Sequence, residues 1–397
     1  MRLADRVYKI SPSPTLALDA KAKEMASQGI NVVNFGVGEP DFDTPQHIKD
    51  AAIDAINKGF TKYTPATGIA DLKAAVVKKF KEDNGLEYKP SQVVVSVGAK
   101  HSIFNAVMAV IGEGDECIIP APYWVSYPEM VNIAGGKSVI VPLTEAENFK
   151  LTAEKLEKAI TPKSKLIILN SPSNPTGAVY SREELKAIAG VCKKHDIVMV
   201  SDEVYEKLMY DQAKHISIAS VSEDAYNRTV TVNGVSKAYA MTGWRIGYAA
   251  ANPELVKAMG NIQGHVTTNP TSISQKAAVA ALLGPQEPLK IMLNAFRERA
   301  DFTYKRVNEI PGFFCRKPLG AFYVFPNVAK VFGKTVAGQV IKSADQLCDI
   351  FLDKVQVAIV PGSGFGSPDN IRISYATSME KIVDGLNRVA ALLEGAR

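Results

Sequence analysis

The residues best suited to chemistry in this sequence lie just after its apolar, strand-like runs. Lys237 follows the alternating run 229–232 (TVTV), which predicts a strand, and the pair Asn233-Gly234, which predicts a turn. A lysine among small and apolar residues loses hydration, which lowers its pKa and favours the neutral amine that forms a Schiff base. Most lysines are solvated, however, so Lys237 taken alone predicts a surface residue.

Asp202 stands in a similar place after the apolar run 197–200, which predicts a buried strand. A carboxylate there is costly unless it pairs with a cation or with strong donors. A protonated ring nitrogen would be one suitable partner, and Tyr205, three residues on, could donate to a ring oxygen. A helix cap or a loop ion pair is the more ordinary role of such an aspartate.

A third apolar run, 93–97, leads through Gly98-Ala99-Lys100 into a helical segment. Free N–H groups and the helix dipole at such a turn favour a phosphate. Arg245 could hold a phosphate through two hydrogen bonds, although a surface ion pair would also explain it. Neither a GxGxxG nor a Walker sequence occurs, so a dinucleotide site is not expected.

Trp124 and Arg372 complete the set. Trp124 lies in a proline-rich loop and could stack on an aromatic ring, although tryptophans are usually core residues. Arg372 lies between two isoleucines of a predicted strand, where a bound carboxylate or a neighbouring glutamate would balance its charge. A phosphate cradle, an aspartate, a phenol, a stacking ring and a lysine together describe a pyridoxal phosphate site.

A sheet must position these residues, and the order of the predicted elements indicates its type. Strands and helices alternate from Gln92 onward, which is typical of a mostly parallel α/β sheet with helices on both faces. Ligands bind such sheets at the carboxyl ends of the strands. Five candidates fall at such ends: Gly98, Trp124, Asn174, Asp202 and Lys237. We expect a seven-stranded sheet in a large domain, residues 46–285, and a smaller α+β domain from residues 1–45 and 286–397.

Composition argues against other classes of protein. The 397 residues are 46% hydrophobic and 22% charged with a net charge of +5, and lysines are mixed with acids rather than gathered into a nucleic-acid-binding stripe. Neither an apolar run of membrane-spanning length nor a signal-peptide h-region is present. The four cysteines and five histidines show no metal-ligand spacing. We expect a cytoplasmic protein with no metal, nucleic-acid or membrane partner.

Nine motifs spread over nearly the whole chain make a closer comparison possible. They are GEPDF (38–42), KYTPATG (62–68), VGAK (97–100), PYWVSYPEM (122–130), SPSNPTGAVY (171–180), SDEVYE (201–206), SKAYAMTGWRIGY (236–248), GAFYVF (320–325) and RISYATS (372–378). Through them the chain resembles the fold-type I, class I aminotransferases, and closely their bacterial 1-beta aspartate aminotransferase branch.

The resemblance implies a role for each candidate residue toward pyridoxal phosphate and substrate. The expected cofactor contacts are Lys237 (covalent bond and proton transfer), Asp202 (pyridinium nitrogen), Tyr205 and Asn174 (ring oxygen), Trp124 (stacking), Gly98, Ala99, Lys100, Ser236 and Arg245 (phosphate and its surroundings), and Tyr63 from the neighbouring subunit. The expected substrate contacts are Gly38 and Arg372 (α-carboxylate), Lys100 (distal carboxylate), Trp124 and Asn174. Lys237, Asp202 and Tyr205 would be the catalytic residues.

The implied reaction is transfer of the amino group of L-aspartate to 2-oxoglutarate, in a ping-pong cycle on a homodimer with shared active sites. The alternatives are a prephenate or aromatic aminotransferase of the same branch, a pyridoxal phosphate lyase, and a ligand-sensing domain without turnover. The chain departs from many relatives at Gly234, where they have a phosphate-binding serine. Ser11 stands where prephenate-accepting members tend to have lysine, which weighs against that alternative without excluding it.

Overall fold

The structure is a computed structural model that describes residues 3–395. The α-helices are α1 (Pro14–Ser27), α2 (Gln46–Asn57), α3 (Ala70–Asn84), α4 (Ala99–Val110), α5 (Ser126–Ile133), α6 (Ala153–Ala159), α7 (Arg182–Lys194), α8 (Glu223–Arg228), α9 (Pro253–Val266), α10 (Ser272–Leu283), α11 (Glu287–Glu309), α12 (Ala344–Val355) and α13 (Met379–Glu394). The strands are β1 (Val33–Asn34), β2 (Val93–Ser96), β3 (Glu116–Ala121), β4 (Lys137–Pro142), β5 (Ser164–Asn170), β6 (Val198–Asp202), β7 (Thr229–Gly234), β8 (Gly247–Ala250), β9 (Tyr323–Val324), β10 (Thr335–Val336), β11 (Gln339–Val340), β12 (Val357–Ala358), β13 (Val360–Pro361) and β14 (Ile371–Ser374).

Seven strands form the central sheet in the order β2-β8-β7-β6-β5-β3-β4. The strands pair in parallel except at β8, which is antiparallel to both of its neighbours. Every residue of β2 and of β7 is buried, because helices cover both faces of the sheet. The expected mostly parallel α/β sheet is therefore confirmed.

The register of the sheet brings the predicted strand ends to one edge. Asp202 at the end of β6 pairs with Asn170 of β5 on one side and with Val232 of β7 on the other. The chain leaves β7 at Gly234, so Lys237 emerges beside Asp202. Parallel strands place their carboxyl ends together, which is how residues far apart in sequence meet here.

The expected turn at Asn233-Gly234 is wrong, because both residues belong to β7 and pair with Tyr248 and Gly247 of β8. The glycine serves a close approach rather than a turn. A Cβ atom on Gly234 would lie 3.1 Å from the Cα of Gly247, so a side chain there would push β7 and β8 apart.

A second group of elements lies outside the central sheet. Strands β13, β14 and β9 form an antiparallel sheet, and β1 pairs in parallel with β12. Helices α11, α12 and α13 contribute buried apolar side chains to the same core, among them Phe296, Phe351 and Leu386. The N-terminal strand thus joins the C-terminal elements, as expected for the smaller domain, whose boundaries stay a prediction.

Two further observations bear on the class of protein. Cys117, Cys192, Cys315 and Cys348 are all buried and free. Within residues 3–395, none of the helices has both the length and the apolar composition needed to cross a bilayer.

Candidate active site

A cavity of about 410 Å³ opens at the carboxyl edge of the central sheet. Its walls include eleven of the thirteen predicted site residues: Gly38, Ala99, Lys100, Trp124, Asn174, Asp202, Tyr205, Ser236, Lys237, Arg245 and Arg372. Gly98 lies against Arg245, while Tyr63 is 90% exposed and does not line the cavity of its own chain. The structure therefore brings together the residues that the sequence placed at separate strand ends.

Lys237 projects into the cavity from the turn after β7. Its Nζ donates a hydrogen bond of 2.5 Å to the carbonyl oxygen of Gly38 and lies 5.8 Å from the centre of the Phe322 ring. Burial lowers the pKa of this amine to about 8, with Glu39 opposing the shift and Arg245 adding to it. About a tenth of Lys237 is thus neutral at pH 7, far more than for an ordinary lysine, and the neutral amine is the form that acts as a nucleophile and base.

Asp202 ends β6 and is 5% exposed. One carboxylate oxygen accepts a hydrogen bond of 2.7 Å from the Tyr127 hydroxyl, and the other accepts one of 3.3 Å from the Val204 N–H. Burial raises the pKa of Asp202 to about 6, and these two hydrogen bonds only partly offset it. Among the described residues no cation lies within ion-pair distance of this carboxyl, so it has room for a cationic ligand.

The turn from β2 into α4 forms the predicted cradle. Gly98 has φ of 82°, which glycine adopts freely, and a Cβ atom on it would collide with the Arg245 guanidinium. Arg245 donates 2.6 Å to the carbonyl oxygen of Thr242 and faces the start of α4. The first N–H groups of a helix have no intrahelical partner, so a guanidinium beside them makes an anion site.

Lys100 and Trp124 lie on one wall of the cavity. The Lys100 Nζ is 4.8 Å from the centre of the Trp124 ring, and burial, together with the nearby Arg245, lowers the pKa of this lysine. No carboxylate of residues 3–395 pairs with Lys100. The ammonium group therefore lines the cavity beside an aromatic ring and a second cation, without an anionic partner among these residues.

Arg372 also lines the cavity and is 3% exposed. Its guanidinium donates to the Asn174 side-chain oxygen at 3.1 Å and to the carbonyl oxygen of Gly36 at 2.8 Å, and it stacks 4.5 Å from the Tyr323 ring centre. The sequence left open whether a glutamate balances this charge. Within residues 3–395 no carboxylate does, and the Nε atom lacks a partner, so Arg372 is a buried cation ready for an anionic ligand.

Several contributors were not predicted from the sequence. Tyr127, which holds Asp202, lies three residues after Trp124 and follows it onto α5; this spacing could have indicated it. Tyr323 shares a hydrogen bond of 3.0 Å with the predicted Tyr205. Thr15 of α1 also lines the cavity, and nothing in its local sequence indicates this position.

Behind this site lies a second buried group of charges, Lys79, Glu203, Glu206 and His215, which we call the rear cluster; Asp202, Lys237 and Arg372 are the front cluster. His215 Nε2 lies 2.9 Å from Glu203 and 3.9 Å from Glu206, and Lys79 forms a close ion pair with Glu206. Glu203, Glu206 and His215 are close enough together to hold a metal ion. Their two carboxylates already have cationic partners, however, which leaves little need for one.

The residue types of the front cluster and the cradle, and their position around one cavity, fit pyridoxal phosphate. One cavity is surrounded by four features. They are a glycine at which any side chain would fill the cradle (Gly98), an aspartate without a paired cation among the described residues (Asp202), a lysine of lowered pKa (Lys237) and a tryptophan that can stack on a ring (Trp124). The ring nitrogen, phosphate and aldehyde of that cofactor need partners of these types.

Comparison with known proteins gives matches over nearly the full length of the chain. Residues 30–389 match the family model described as aminotransferase class I and II. The aspartate aminotransferase of Bacillus subtilis (strain 168) is 52% identical over 394 residues, covering 99% of each chain. The aspartate/prephenate aminotransferase of Nitrosomonas europaea is 48% identical over 396 residues, covering 99% of this chain and 100% of the relative. The crystal structure of the aspartate aminotransferase from Rhizobium meliloti superposes with a TM-score of 0.97 at 46% identity, covering 100% of both chains.

Proposed function

The chain belongs to the class I and II aminotransferases, and on that premise we propose that it transfers the amino group of L-aspartate to 2-oxoglutarate, giving oxaloacetate and L-glutamate. The observation that carries the choice of substrate is that two cations, Arg372 and Lys100, line the same cavity. Neither pairs with a carboxylate of the described residues. A dicarboxylic amino acid would give each cation a partner.

The family implies pyridoxal phosphate, and the residues present fit it. When bound, this cofactor supplies the aldehyde that takes up the amino group and the ring that accepts electrons from the substrate. Ala99, Gly98 and Arg245 would hold the phosphate, with Ser236 close by. Asp202 would pair with the protonated ring nitrogen, Trp124 would cover the ring face, and Tyr205 and Asn174 would serve the ring oxygen.

Each residue around the cavity would then have a separate role in the reaction. Arg372 and Gly38 would fix the α-carboxylate of the substrate, so that its Cα–H points toward the Lys237 Nζ. With a pKa of about 8, Lys237 can accept the Cα proton and deliver it again during the same turnover. Asp202, held by the Tyr127 hydroxyl, would keep a positive charge on the ring nitrogen.

Tyr63 supports a homodimeric arrangement. Its side chain is 90% exposed and does not line the cavity of its own chain. We place it at the cofactor phosphate of a neighbouring subunit, so that each site needs both copies of the chain. Since all four cysteines are free thiols, we also place the enzyme in the reducing cytoplasm.

The experiment that tests the substrate assignment is Lys100→Ala. Loss of one partner of a closed, dehydrated charge pair weakens an interaction by ~2–5 kcal/mol, so kcat/KM for aspartate and glutamate should fall roughly 30-fold or more. The value for phenylalanine should fall far less, because that substrate has no distal carboxylate. Equal losses on aspartate and phenylalanine would instead assign Lys100 to the cofactor.

The second candidate activity is transamination of prephenate. It is favoured by the name of the Nitrosomonas europaea relative, which is aspartate/prephenate aminotransferase. A kcat/KM for prephenate comparable to that for 2-oxoglutarate would establish it, and the Lys100→Ala comparison would then be repeated with prephenate as acceptor.

A further inference from the structure

Residues 60–69, here called the Tyr63 loop, run over the surface between α2 and α3. The loop combines an exposed tip with a firmly attached backbone. While Tyr63 is 90% exposed, the carbonyl oxygen of Phe60 accepts from Ser272 Oγ at 2.8 Å and that of Thr67 accepts from the Val95 N–H at 3.0 Å. A loop with no function beyond connection does not need this much support.

Gln275 of α10 is one of two fully buried glutamines that hold the loop. Its Oε1 accepts from the Ile69 N–H at 2.8 Å, and its Nε2 donates to Thr64 Oγ1 at 3.1 Å and to the carbonyl oxygen of Pro270 at 2.8 Å. Two of the three contacts are therefore made to the loop itself, one on each side of its midpoint.

Gln263 of α9 is the second fully buried glutamine, and it contacts the loop and two other elements. Its Nε2 donates to the carbonyl oxygens of Ala66 in the loop, at 2.6 Å, and of Val95 in β2, at 2.7 Å. Its Oε1 accepts from Asn105 of α4 at 3.0 Å. A single amide thus ties the Tyr63 loop to both elements that enclose the cradle of the same subunit.

We propose that Gln263 and Gln275 are positioning residues for the two active sites of a dimer. Gln275 holds the Tyr63 loop in the shape that a subunit presents to its neighbour's phosphate site. Gln263 does the same and also couples that loop to the subunit's own cradle. The proposal rests on the proposed function, since it requires Tyr63 to act across the interface.

The first experiment needs no cofactor. Hydrogen exchange of residues 60–69 is measured in the wild-type protein and in Gln275→Leu, with Gln275→Glu as an isosteric second variant that cannot donate to the carbonyl of Pro270. We expect the Ile69 amide to exchange roughly tenfold faster in Gln275→Leu, since it loses a buried acceptor. In Gln275→Glu the acceleration at Ile69 should be smaller, because the carboxylate still accepts from this N–H and only the donor to Pro270 is lost. Unchanged exchange in the loop would overturn the proposal.

The matched control is Gln92→Leu. Gln92 is also a buried glutamine beside β2, accepting from the Lys89 N–H and donating to the carbonyl oxygen of Ala251, each at 3.1 Å, but it contacts neither the Tyr63 loop nor the cavity. Its loss should leave exchange in residues 60–69 at the wild-type rate. Equal acceleration in Gln92→Leu and Gln275→Leu would also overturn the proposal, because it would reflect a general loss of stability.

The second experiment uses hybrid dimers with one complete site. One subunit carries Tyr63→Phe and keeps Lys237, and the other carries Lys237→Ala and keeps Tyr63. Pyridoxal phosphate is titrated and followed through the absorbance of the lysine-bound form, which only the first subunit can make. With Gln275→Leu in the second subunit, which presents Tyr63, the dissociation constant should rise roughly tenfold. In the first subunit the same change should have an effect of less than about twofold.

Gln263→Leu should raise the dissociation constant from either position, because Gln263 also touches the cradle of its own subunit. Equal effects of Gln275→Leu from both positions would overturn the proposal. A failure of the proposed function would look different: the hybrid would form no lysine-bound cofactor even with both glutamines intact, and hydrogen exchange would still decide whether they hold the loop.

Discussion

Asp202 and Glu203 are neighbours in sequence, yet they belong to two buried clusters of opposite character. In the front cluster, burial raises the pKa of Asp202 to about 6 and lowers that of Lys237 to about 8, so both groups shift toward their neutral forms. In the rear cluster, burial acts the same way, but Lys79 and His215 outweigh it and hold the pKa of Glu206 at about 2. The charges of the rear cluster are therefore balanced by opposite charges within the cluster, whereas Asp202 and Lys237 of the front cluster have no ion-pair partner among the described residues.

This difference teaches how to tell a structural group of buried charges from a functional one. Both clusters are buried, polar and close to the same strand end. The rear carboxylates are shared among Ser201, Ser217, Asn84 and two cations, so they stabilise the fold and have little left to offer a ligand. The charged groups of the front cluster have no ion-pair partner within the described chain and can bind a charged ligand. Because their loss of hydration is not compensated, they reduce the stability of the cofactor-free protein.

The largest effect that would test the comparison is expected for Lys237→Ala. Without the amine, turnover should fall by roughly 10⁴-fold or more, while pyridoxal phosphate still binds through the cradle. Steady-state kinetics and peptide mapping after borohydride reduction measure the two properties. Lys158→Ala, which removes a surface lysine paired with Glu154 at 2.6 Å, is the control and should keep full activity. An active Lys237→Ala enzyme labelled at another lysine would remove Lys237 from the front cluster's function.

Asp202→Asn should separate activity from stability. Turnover should fall by roughly 10²–10⁴-fold, because the ring nitrogen loses its anionic partner. The folded pKa of about 6 lies above the ordinary 3.8, so the folded chain holds a proton that the unfolded chain releases, and stability falls as pH rises between these values. At pH 8 the variant should therefore raise the free energy of unfolding of the cofactor-free protein, by roughly 1–3 kcal/mol.

Urea denaturation of the cofactor-free proteins at pH 8 measures that difference. A less stable Asp202→Asn variant would mean that the Asp202 charge is compensated, as the rear charges are. Undiminished turnover would remove it from the proposed chemistry.

Glu206→Gln should give the opposite result in the rear cluster. It leaves Lys79 and His215 with one carboxylate fewer, and breaking a buried pair costs about 3–5 kcal/mol of unfolding free energy. Where the variant is folded, kcat should change little, because Glu206 does not line the cavity. Glu154→Gln, which breaks an exposed pair with Lys158, should stay within about 1 kcal/mol of the wild type in urea denaturation. A fully stable Glu206→Gln would contradict the assignment of a structural role.

The smallest expected effect is a pH dependence carried by His215. Although burial alone would lower its pKa, the facing carboxylates of Glu203 and Glu206 raise it above the usual 6.5, with Lys79 opposing them. The protonated ring therefore stabilises the fold fully below pH 6.5, and this contribution is lost as pH rises through the higher folded pKa.

Urea denaturation between pH 6 and 9 should show this loss in the wild type and a flatter profile in His215→Gln. The control is His195→Gln, which removes a half-buried histidine that lies 2.7 Å from Glu157, outside the rear cluster. An equally flattened profile in this control would mean that the effect is not specific to His215. Identical slopes in wild type and His215→Gln would contradict a charged His215.

Local sequence patterns placed the members of the front cluster at predicted strands, with Asp202 and Lys237 after strands and Arg372 within one. The end of β6 places Asp202, the end of β7 places Lys237, and the parallel order of the strands brings them together. Local sequence patterns did not predict the rear cluster. Lys79 lies on α3 among other charged residues and Glu206 follows β6, and the local pattern of neither segment indicates that the two side chains form a buried pair.

Strand β8 shows a second limit. Gly247–Ala250 is short and follows a turn in which Arg245 has φ of 56°, so no periodicity marks it as a strand. Its antiparallel pairing with β2 and β7 depends on close backbone contact at Gly234 and Gly247, which only the folded chain makes evident. That residues of α1 line the cavity likewise depends on tertiary packing rather than on local sequence.

The edge position of β2 has a consequence for synthesis of the chain. β2 leads into the cradle, and in the described sheet the strand that pairs with it is β8. Ser96 of β2 can therefore pair with Gly247 of β8 only after Gly247 has been synthesised. About 150 residues separate the two, and a ribosome adding ~5–20 residues per second needs on the order of ten seconds to cover them. A nascent chain that ended before β8 would contain all the other strands of the central sheet, but its cradle strand β2 would be unpaired. The cradle is therefore complete only after the last strand of this sheet has been synthesised.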